Sequence, residues 1–266
     1  MKLATWNVNS LKVRLPQVLD WLAAHRTDVL ALQETKLIDQ RFPVAEFAAA
    51  GYHAVFAGQP TYNGVALLSR ADTVGPAQGV VVGNPLFPDE QQRLISADIA
   101  GLRWVCAYFP NGQSVDSDKY QYKLRWIDAL LEWLKPAAAP DAGTGATDRT
   151  PTVLLGDFNI APEAIDVHDP AAWDGQVLCS EPERARFRAL IESGFRDAYR
   201  LFEQAPKSYS WWDYRQLGFR RNAGLRIDHI LVDQTLTQRV RSCSIDRGPR
   251  KLAQPSDHAP VWAEID

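Results

Sequence analysis

Short apolar runs alternate with amphipathic segments along the chain, and this alternation constrains the fold more than any other feature. Apolar runs of strand length that are bounded by turn residues are typical of buried β-strands. Such runs occur at residues 2–7, 28–33, 52–57 and 64–69, at 93–100 and 102–109 as a hairpin through Gly101, and at 152–156, 209–212, 226–232, 240–246 and 258–265. The pattern predicts a single α/β domain with many strands over residues 1–266.

Three segments have the i, i+3, i+4 spacing of apolar residues that predicts an amphipathic helix. They cover residues 14–25, 117–135 and 180–192. The third begins with a capping box formed by Ser180 and Glu183 and ends before Gly194. Residues 136–151 are rich in Ala, Pro, Gly and Thr and lack periodicity, which predicts a flexible surface loop.

The charge balance limits how this chain could bind nucleic acid. Acidic residues exceed basic residues by 32 to 29, so the formal net charge is −3. A protein that binds DNA through bulk charge is strongly basic, so DNA binding here would need a local basic face. The acidic excess also fits carboxylates that are kept for metal ions.

The cysteines and the chain start bear on the cellular compartment. Cys106, Cys179 and Cys243 are odd in number and form no CxxC pair, which favours reduced thiols over disulfides or a zinc site. The first residues read as a strand rather than a signal peptide, and no run approaches the roughly 20 apolar residues that span a bilayer. We expect a cytoplasmic protein without membrane association.

Polar side chains recur where the apolar strands end. In α/β sheets, side chains at strand ends converge on a crevice that binds ligands. The residues in such positions are Asn7, Glu34, Tyr108, Asn111, Asp157, Asn159, Asp228, Asp257 and His258. Taken singly, each has an ordinary structural explanation as a turn, core or solvated residue.

Taken together, these groups supply hard oxygen ligands, amides, a phenol and an imidazole. That set suits a hydrated Mg²⁺ ion and a phosphodiester, whereas zinc would favour closely spaced Cys and His. The sequence has neither the GxxxxGK[ST] loop of P-loop NTPases nor the GxSxG turn of serine hydrolases.

Six motifs in order give the chain a family resemblance. They are WN at 6–7, LQETK at 32–36, LLGDFNIAPE at 154–163, YSWWDYR at 209–215, GLRID at 224–228 and SDHAPV at 256–261. Together they resemble the endonuclease/exonuclease/phosphatase superfamily and, within it, the exonuclease III group of apurinic/apyrimidinic endonucleases. The resemblance covers nearly the whole chain. It implies a four-layered α/β sandwich of two packed mixed β-sheets and dependence on Mg²⁺ or Mn²⁺.

The resemblance also implies roles for the strand-end residues. Glu34 would bind the metal with help from Asn7 and Asp257, and Lys36 would pair with the acidic cluster. Asp157 would orient or deprotonate the attacking water beside Asn159, His258 would stabilise the phosphoryl oxygen, and Asp228 would hold His258. Tyr108 and Asn111 would contact the phosphate, and whether Tyr108 also activates the nucleophile stays open. The products would be a 3′-hydroxyl and a 5′-phosphate.

DNA contacts are predicted at two basic stretches. One contains Arg215, Arg220, Arg221 and Arg226, and the other contains Lys119, Lys123 and Arg125, for which a solvated helix face is an equally good interpretation. Trp211, Leu225 and Ile227 match positions that form an apolar sugar pocket in the family, although some relatives have tryptophan in place of Leu225. The alternative is that all three are ordinary core residues rather than the lining of a sugar pocket. Residues 160–180 match a region that lies over DNA in relatives and are predicted to set the balance between internal cleavage and 3′-end trimming.

Three hypotheses on function follow from these motifs. The first is a DNA-repair phosphodiesterase that acts as a monomer on double-stranded DNA with abasic sites or 3′ ends. The second is a phosphodiesterase of the same superfamily that acts on RNA or a phospholipid. The third is a DNA-binding module without activity, which the presence of Glu34, Asp157, Asn159 and His258 argues against.

Overall fold

Two six-stranded mixed β-sheets form the centre of the computed structural model, which describes residues 1–135 and 150–266. The first sheet contains, in order of neighbours, β11 (Val240–Ile245), β12 (Val261–Ile265), β1 (Lys2–Asn7), β2 (Val29–Gln33), β4 (Val65–Arg70) and β3 (Tyr52–Ala57). The second contains β5 (Gln78–Val82), β6 (Leu94–Ile99), β7 (Leu102–Tyr108), β8 (Thr152–Asp157), β10 (Asp228–Asp233) and β9 (Phe195–Asp197). Each sheet has one parallel pair, β1 with β2 and β7 with β8.

The longer helices cover the outer faces of the sheets. These are α1 (Leu11–His25), α2 (Val44–Ala49), α3 (Asp118–Leu134) and α5 (Glu181–Glu192), while the short helices α4 (Pro170–Trp173) and α6 (Gly218–Arg221) lie in the connections between β8 and β10. Short 3₁₀ helices lie at Asp39–Arg41, Ala164–Asp166, Ala198–Leu201, Arg215–Leu217, Gln234–Arg239 and Pro249–Lys251. Within the described residues, no helix has the length and apolar character needed to cross a membrane.

Three apolar clusters show how the layers stack. Between the sheets, side chains such as Leu3, Leu67, Trp104 and Ile230 are at most 1 % exposed and form one cluster. A second cluster packs α1 and α2 against the first sheet, and a third packs α3 and α5 against the second sheet. Burial of this apolar area on both faces of both sheets is the main stabilising contribution. The predicted four-layered α/β sandwich is confirmed.

Most of the predicted elements are present with small shifts at their ends. The 93–109 hairpin turns at Ala100 and Gly101, which both have positive φ (50° and 77°), the geometry of a two-residue turn that matches strand twist. The capping box of Ser180 and Glu183 opens α5 as predicted. The predicted loop 136–151 lies outside the described residues except for Thr150 and Pro151.

Three parts of the strand prediction are wrong. Residues 209–212 form single bridges from Trp211 to Leu225 and His258 instead of a strand, so this apolar run reflects the burial of Tyr209 and Trp212 rather than a continuous ladder. The last strand begins at Val261 rather than at residue 258, directly after Pro260, which has no N–H to donate. The edge strands β5 and β9 were not predicted, since β5 is largely exposed and β9 has only three residues.

Candidate active site

The carboxyl ends of the two parallel strand pairs, one pair from each sheet, meet at one place. β1 ends at Asn7 and β2 ends just before Glu34, while β7 ends at Tyr108 and β8 at Asp157. The side-chain Nδ2 of Asn7 donates to Glu34 Oε1 at 2.8 Å and to Asp157 Oδ2 at 2.9 Å. The buried Asn7 amide therefore joins the two sheets at the site.

Gly156 explains why Asp157 can occupy this position. Its φ is +153°, and a Cβ built on it would lie 1.8 Å from the carbonyl oxygen of Ala107 on the neighbouring strand. Only glycine permits this approach, so β7 and β8 stay in the register that pairs Tyr108 with Asp157.

An acidic cluster forms the centre of the site. One ligand atom from each of Glu34, Asp157 and His258 lies within 4.8 Å of the others. His258 Nε2 is 3.7 Å from Asp157 Oδ2, and Lys36 Nζ is 2.7 Å from Glu34 Oε2. Two carboxylates at this separation offer the hard oxygen ligands that suit a hydrated divalent cation, so the residues present fit a metal ion.

His258 is held by the carboxylate of Asp228. Its Nδ1 lies 2.9 and 3.0 Å from the two Asp228 oxygens, and the backbone N–H of Asp228 donates to Ser210 Oγ at 3.1 Å. Burial by itself lowers the pKa of His258, but the charges of Asp228 and Asp157 outweigh burial and raise this pKa to about 10. The imidazole is therefore a cation at neutral pH, with Nε2 directed to the acidic cluster.

The two carboxylates of the cluster differ in protonation. Burial, the largest effect, raises the pKa of Asp157 to about 7, with Asp228 acting in the same direction and His258 opposing it. Burial also acts to raise the pKa of Glu34, but Lys36 and the Asn7 amide outweigh it and lower that pKa. Glu34 is thus ionised at neutral pH, while Asp157 can exchange a proton there.

Tyr108, Asn111 and Asn159 surround the cluster. The phenol of Tyr108 donates to Glu34 Oε1 at 3.0 Å, and burial raises the pKa of Tyr108 well above its usual value. Asn111 Nδ2 donates to Asn159 Oδ1 at 3.0 Å, and the Asn159 N–H donates to Asp157 Oδ1 at 2.9 Å. Tyr108 is therefore a neutral hydrogen-bond donor and not a phenolate.

A groove with a volume of about 660 Å³ opens beside Glu34 and Tyr108. Polar and aromatic side chains line it, including those of Gln59, Tyr62, Arg93, Asn111, Lys119 and Tyr122. The Arg93 guanidinium lies over the Tyr108 ring, 4.8 Å from its centroid. The groove combines positive charge with flat aromatic faces next to the cluster, as surfaces that bind a nucleic-acid strand do.

Two cations predicted to contact DNA are buried instead. Arg226 is 2 % exposed and pairs with Asp166 and Asp197. Lys123 is fully buried against Glu183. Their predicted roles in DNA contact are therefore wrong, because both charges are already paired inside the protein.

The other predicted cations remain at the surface. Arg220, Arg221, Lys119 and Arg125 are exposed, and Arg215 is exposed while it pairs with Asp213. The basic surface that is available to a phosphate backbone is thus smaller than the sequence suggested.

Asp257 is not one of the three groups of the acidic cluster. Its Oδ1 accepts from Asn9 Nδ2 at 2.8 Å, and its Oδ2 accepts from Trp211 Nε1 at 3.0 Å. Leu225 and Ile227 are 0 % and 1 % exposed and pack in one apolar cluster with Val167, Leu178 and Cys179. Of the three predicted pocket residues, only Trp211 has a partly exposed side chain.

Sequence reasoning missed three residues that support the site. Asn9 accepts from Lys36 Nζ at 2.5 Å and donates to Asp257, so it links Asp257 to the lysine that pairs with Glu34. Ser210 Oγ accepts from the N–H of Asp228, and Ser256 Oγ donates to the carbonyl of Asn7 at 2.7 Å. The spacing of Asn7 and Asn9 after β1 was the available signal for Asn9, whereas the serines lay inside motifs assigned to other residues.

Comparison with known proteins agrees with this geometry. Residues 4–258 match the model of the endonuclease/exonuclease/phosphatase family. The chain belongs to this family. It is 35% identical to exodeoxyribonuclease III of Haemophilus influenzae, and the match covers 100% of both chains. The family resemblance inferred from the motifs is confirmed.

Solved structures of this family have the same fold. A 3′ phosphatase from Neisseria, NExo, bound to a product DNA hairpin has a TM-score of 0.92 and 43% identity, with 100% of this chain and 99% of that chain covered. An AP endonuclease from Archaeoglobus fulgidus has a TM-score of 0.91 and 37% identity, again with 100% and 99% coverage.

Proposed function

We propose that this protein is a divalent-metal-dependent hydrolase of DNA phosphoester bonds in the endonuclease/exonuclease/phosphatase family, with 3′-end processing as its main activity. The observation that carries this proposal is the cluster of Glu34, Asp157 and the Asp228-held His258 at the junction of the two sheets. Proteins similar over the full chain are named for exonuclease, 3′ phosphatase and AP endonuclease activities on DNA, which supports DNA as the substrate.

Glu34 is the proposed metal ligand, with Asp157 close enough to contribute. Both offer carboxylate oxygens, which favour Mg²⁺ or Mn²⁺ over zinc. When bound, such an ion would supply Lewis-acid polarisation of the phosphoryl oxygen. We do not assign Asp257 as a ligand, because its two oxygens already hold Asn9 and Trp211.

Asp157, His258 and two asparagines have separate proposed roles in hydrolysis. Asp157 would orient the attacking water and accept its proton, a task that its pKa of about 7 suits. The His258 cation lies next to Asp157. It would donate through Nε2 to a phosphoryl oxygen as negative charge develops on that oxygen in the transition state. Asn159 and Asn111 would hold the phosphate in line for attack. The water oxygen would bond to phosphorus as the P–O3′ bond breaks, so the leaving oxygen would become the 3′-hydroxyl.

The proposed preference for 3′ ends rests on the apolar cluster beside the site. Leu225 and Ile227 are covered by Val167 and Leu178 and present almost no surface to a flipped sugar. A pocket that is already filled would have to open before an internal abasic site could enter. Residues 160–180 contribute Val167 and Leu178, so we propose that this segment sets the ratio of 3′-end processing to internal incision.

The test uses two labelled duplexes, one with a 3′-phosphate at a nick and one with an internal abasic-site analogue. Each is incubated with Mg²⁺ and with EDTA, and Asp157→Asn purified in the same way controls for contaminating nucleases. Metal-dependent loss of the 3′-phosphate that exceeds incision supports the proposal, whereas dominant incision would reverse the preference. Cleavage of neither duplex would point to an RNA or phospholipid substrate.

A loop exchange tests the role assigned to residues 160–180. Replacing this segment with that of the Archaeoglobus AP endonuclease should shift the ratio of the two products toward incision. An unchanged ratio in a folded, active chimera would show that the segment does not set the preference.

The single domain, the monomeric state and the cytoplasmic location remain predictions from the sequence.

A further inference from the structure

Lys123 is a fully buried lysine that the proposed mechanism does not use. It lies on α3, and its Nζ donates to the carbonyl oxygen of Asn159 at 2.7 Å, to that of Asn111 at 3.1 Å, and to the carboxylate of Glu183. Three acceptors match the three N–H bonds of the ammonium group. Two of them belong to the residues that are proposed to hold the phosphate.

The partner of Lys123 is held as tightly as the lysine. Glu183 Oε1 accepts from the N–H of Leu178 at 3.0 Å, and its Oε2 accepts from the N–H and the hydroxyl of Ser180 at 3.1 and 2.5 Å. The hydroxyl of Tyr120, one turn before Lys123, lies 2.6 Å from Ser180 Oγ. The side chain of Lys123 on α3 is thus held by contacts with the start of α5.

An ion pair in this position needs an explanation beyond stability. Burial lowers the pKa of Lys123, and the Glu183 charge and hydrogen bond, followed by Asp157 and Cys179, oppose that effect without outweighing it. Well-packed apolar residues of similar volume are often at least as stabilising as a buried ion pair. Unlike an apolar pair, this ion pair includes an ammonium group, and that group donates to two specific carbonyl oxygens behind the site.

Those two carbonyls belong to the backbone from which the side chains of Asn111 and Asn159 project. Asn159 has a φ of +50°, a conformation that non-glycine residues adopt less readily. Its carbonyl points to Lys123 while its N–H points to Asp157, and its side chain meets that of Asn111. The Asn159 amide also donates to the carbonyl oxygen of Phe109 at 3.1 Å and to Asp157 Oδ2 at 3.3 Å. Lys123 adds to these side-chain contacts by restraining the backbone from which both amides project.

We propose that Lys123, held by Glu183, is a positioning residue that fixes Asn111 and Asn159 for the reacting phosphate. This inference rests on the proposed function for its kinetic consequence, but the contacts themselves do not depend on the substrate. Lys123 is buried and does not contact DNA, so its effect is transmitted through the two backbone carbonyls.

The test compares Lys123→Met with Arg186→Met. Arg186 on α5 pairs with Asp128 on α3 on the exposed side of the same two helices, so its variant controls for a weakened α3–α5 contact. We expect Lys123→Met to lower kcat for 3′-phosphate release by about 100-fold with little change in KM, because misplaced phosphate contacts affect mainly the transition state. Arg186→Met should retain kcat, and a Lys123→Met kcat within about threefold of the wild type would overturn the inference.

A double variant separates positioning from stability. Lys123→Met with Glu183→Gln removes both buried charges and should recover much of the thermal stability that the single variant loses. We expect its kcat to stay low although its Tm recovers. Recovery of kcat together with Tm would show that the pair only stabilises the fold. If Lys123→Met does not fold, the kcat and Tm of the double variant still test the inference.

A readout without substrate keeps this inference separate from the proposed function. In protein labelled with ¹⁵N-asparagine, the side-chain amide signals of Asn111 and Asn159 should shift in the double variant and stay unchanged in Arg186→Met. Unshifted signals would overturn the positioning role. A wild-type protein that cleaves neither DNA duplex would contradict the proposed function alone, since the amide signals would still decide what Lys123 does.

Discussion

Replacing Arg226 with methionine tests whether this arginine supports the fold or contacts DNA. Its Nε donates to Asp166 Oδ1 at 2.6 Å and its Nη1 to Asp197 Oδ2 at 2.8 Å, with His229 Nδ1 3.1 Å from Nη1. The side chain is 2 % exposed. Methionine has a similar length but would remove the cation that pairs with the buried Asp197, while Asp166 would keep its ion pair with Arg200.

The expected loss of stability follows from this geometry. Removing one partner of a buried ion pair typically costs about 3–5 kcal/mol. At about 2.1 cal/mol/K per residue, the unfolding entropy of a chain of 266 residues is about 0.56 kcal/mol/K. The loss therefore corresponds to a decrease in Tm of roughly 5–9 °C.

The matched control is Arg220→Met, which removes a cation from the exposed part of the same basic stretch. Tm is measured by scanning fluorimetry, and DNA affinity is measured by fluorescence anisotropy over a series of salt concentrations. Arg226→Met should lower Tm and leave the salt dependence of binding unchanged. Arg220→Met should leave Tm unchanged and, if it contacts a phosphate, reduce the slope of log K against log salt by about 0.9. An Arg226→Met protein with the Tm of the wild type and a reduced slope would refute the reasoning.

Three further predictions concern the acidic cluster. Asp157→Asn should lower kcat by about 1,000-fold because the amide cannot accept the proton of water, and near-normal turnover would remove that role. Glu34→Ala should raise the Mg²⁺ concentration needed for half-maximal activity by roughly 10- to 100-fold, and an unshifted metal titration would count against Glu34 as a ligand. Because Asp228 helps to raise the pKa of His258 to about 10, activity that needs the imidazolium should be lost as pH rises through that value. Asp228→Asn should move the loss to lower pH, and an unmoved basic limb in the profile of kcat against pH would contradict this assignment.

The sequence contained most of the information on the elements and on which residues stand at the strand ends. The predicted bounds of β1 and β3 agree with the structure, and the capping box of Ser180 and Glu183 marked the start of α5 correctly. These are local properties, since side-chain periodicity and capping involve residues that are close along the chain. The apolar pattern placed Asn7, Glu34 and Asp157 at strand ends and His258 beside the last strand, and the structure brings all four together.

Only the tertiary structure decided which charged and apolar groups are available to a substrate. Arg226 pairs with Asp166 and Lys123 with Glu183, and each pair is separated by 60 residues along the chain. The sequence showed two basic stretches, but the burial of one cation in each depends on acids from distant segments. Leu225 likewise became core because Val167 and Leu178 cover it. A residue's type determines which contacts it can make, whereas its exposure and charge state depend on neighbours that only folding brings near.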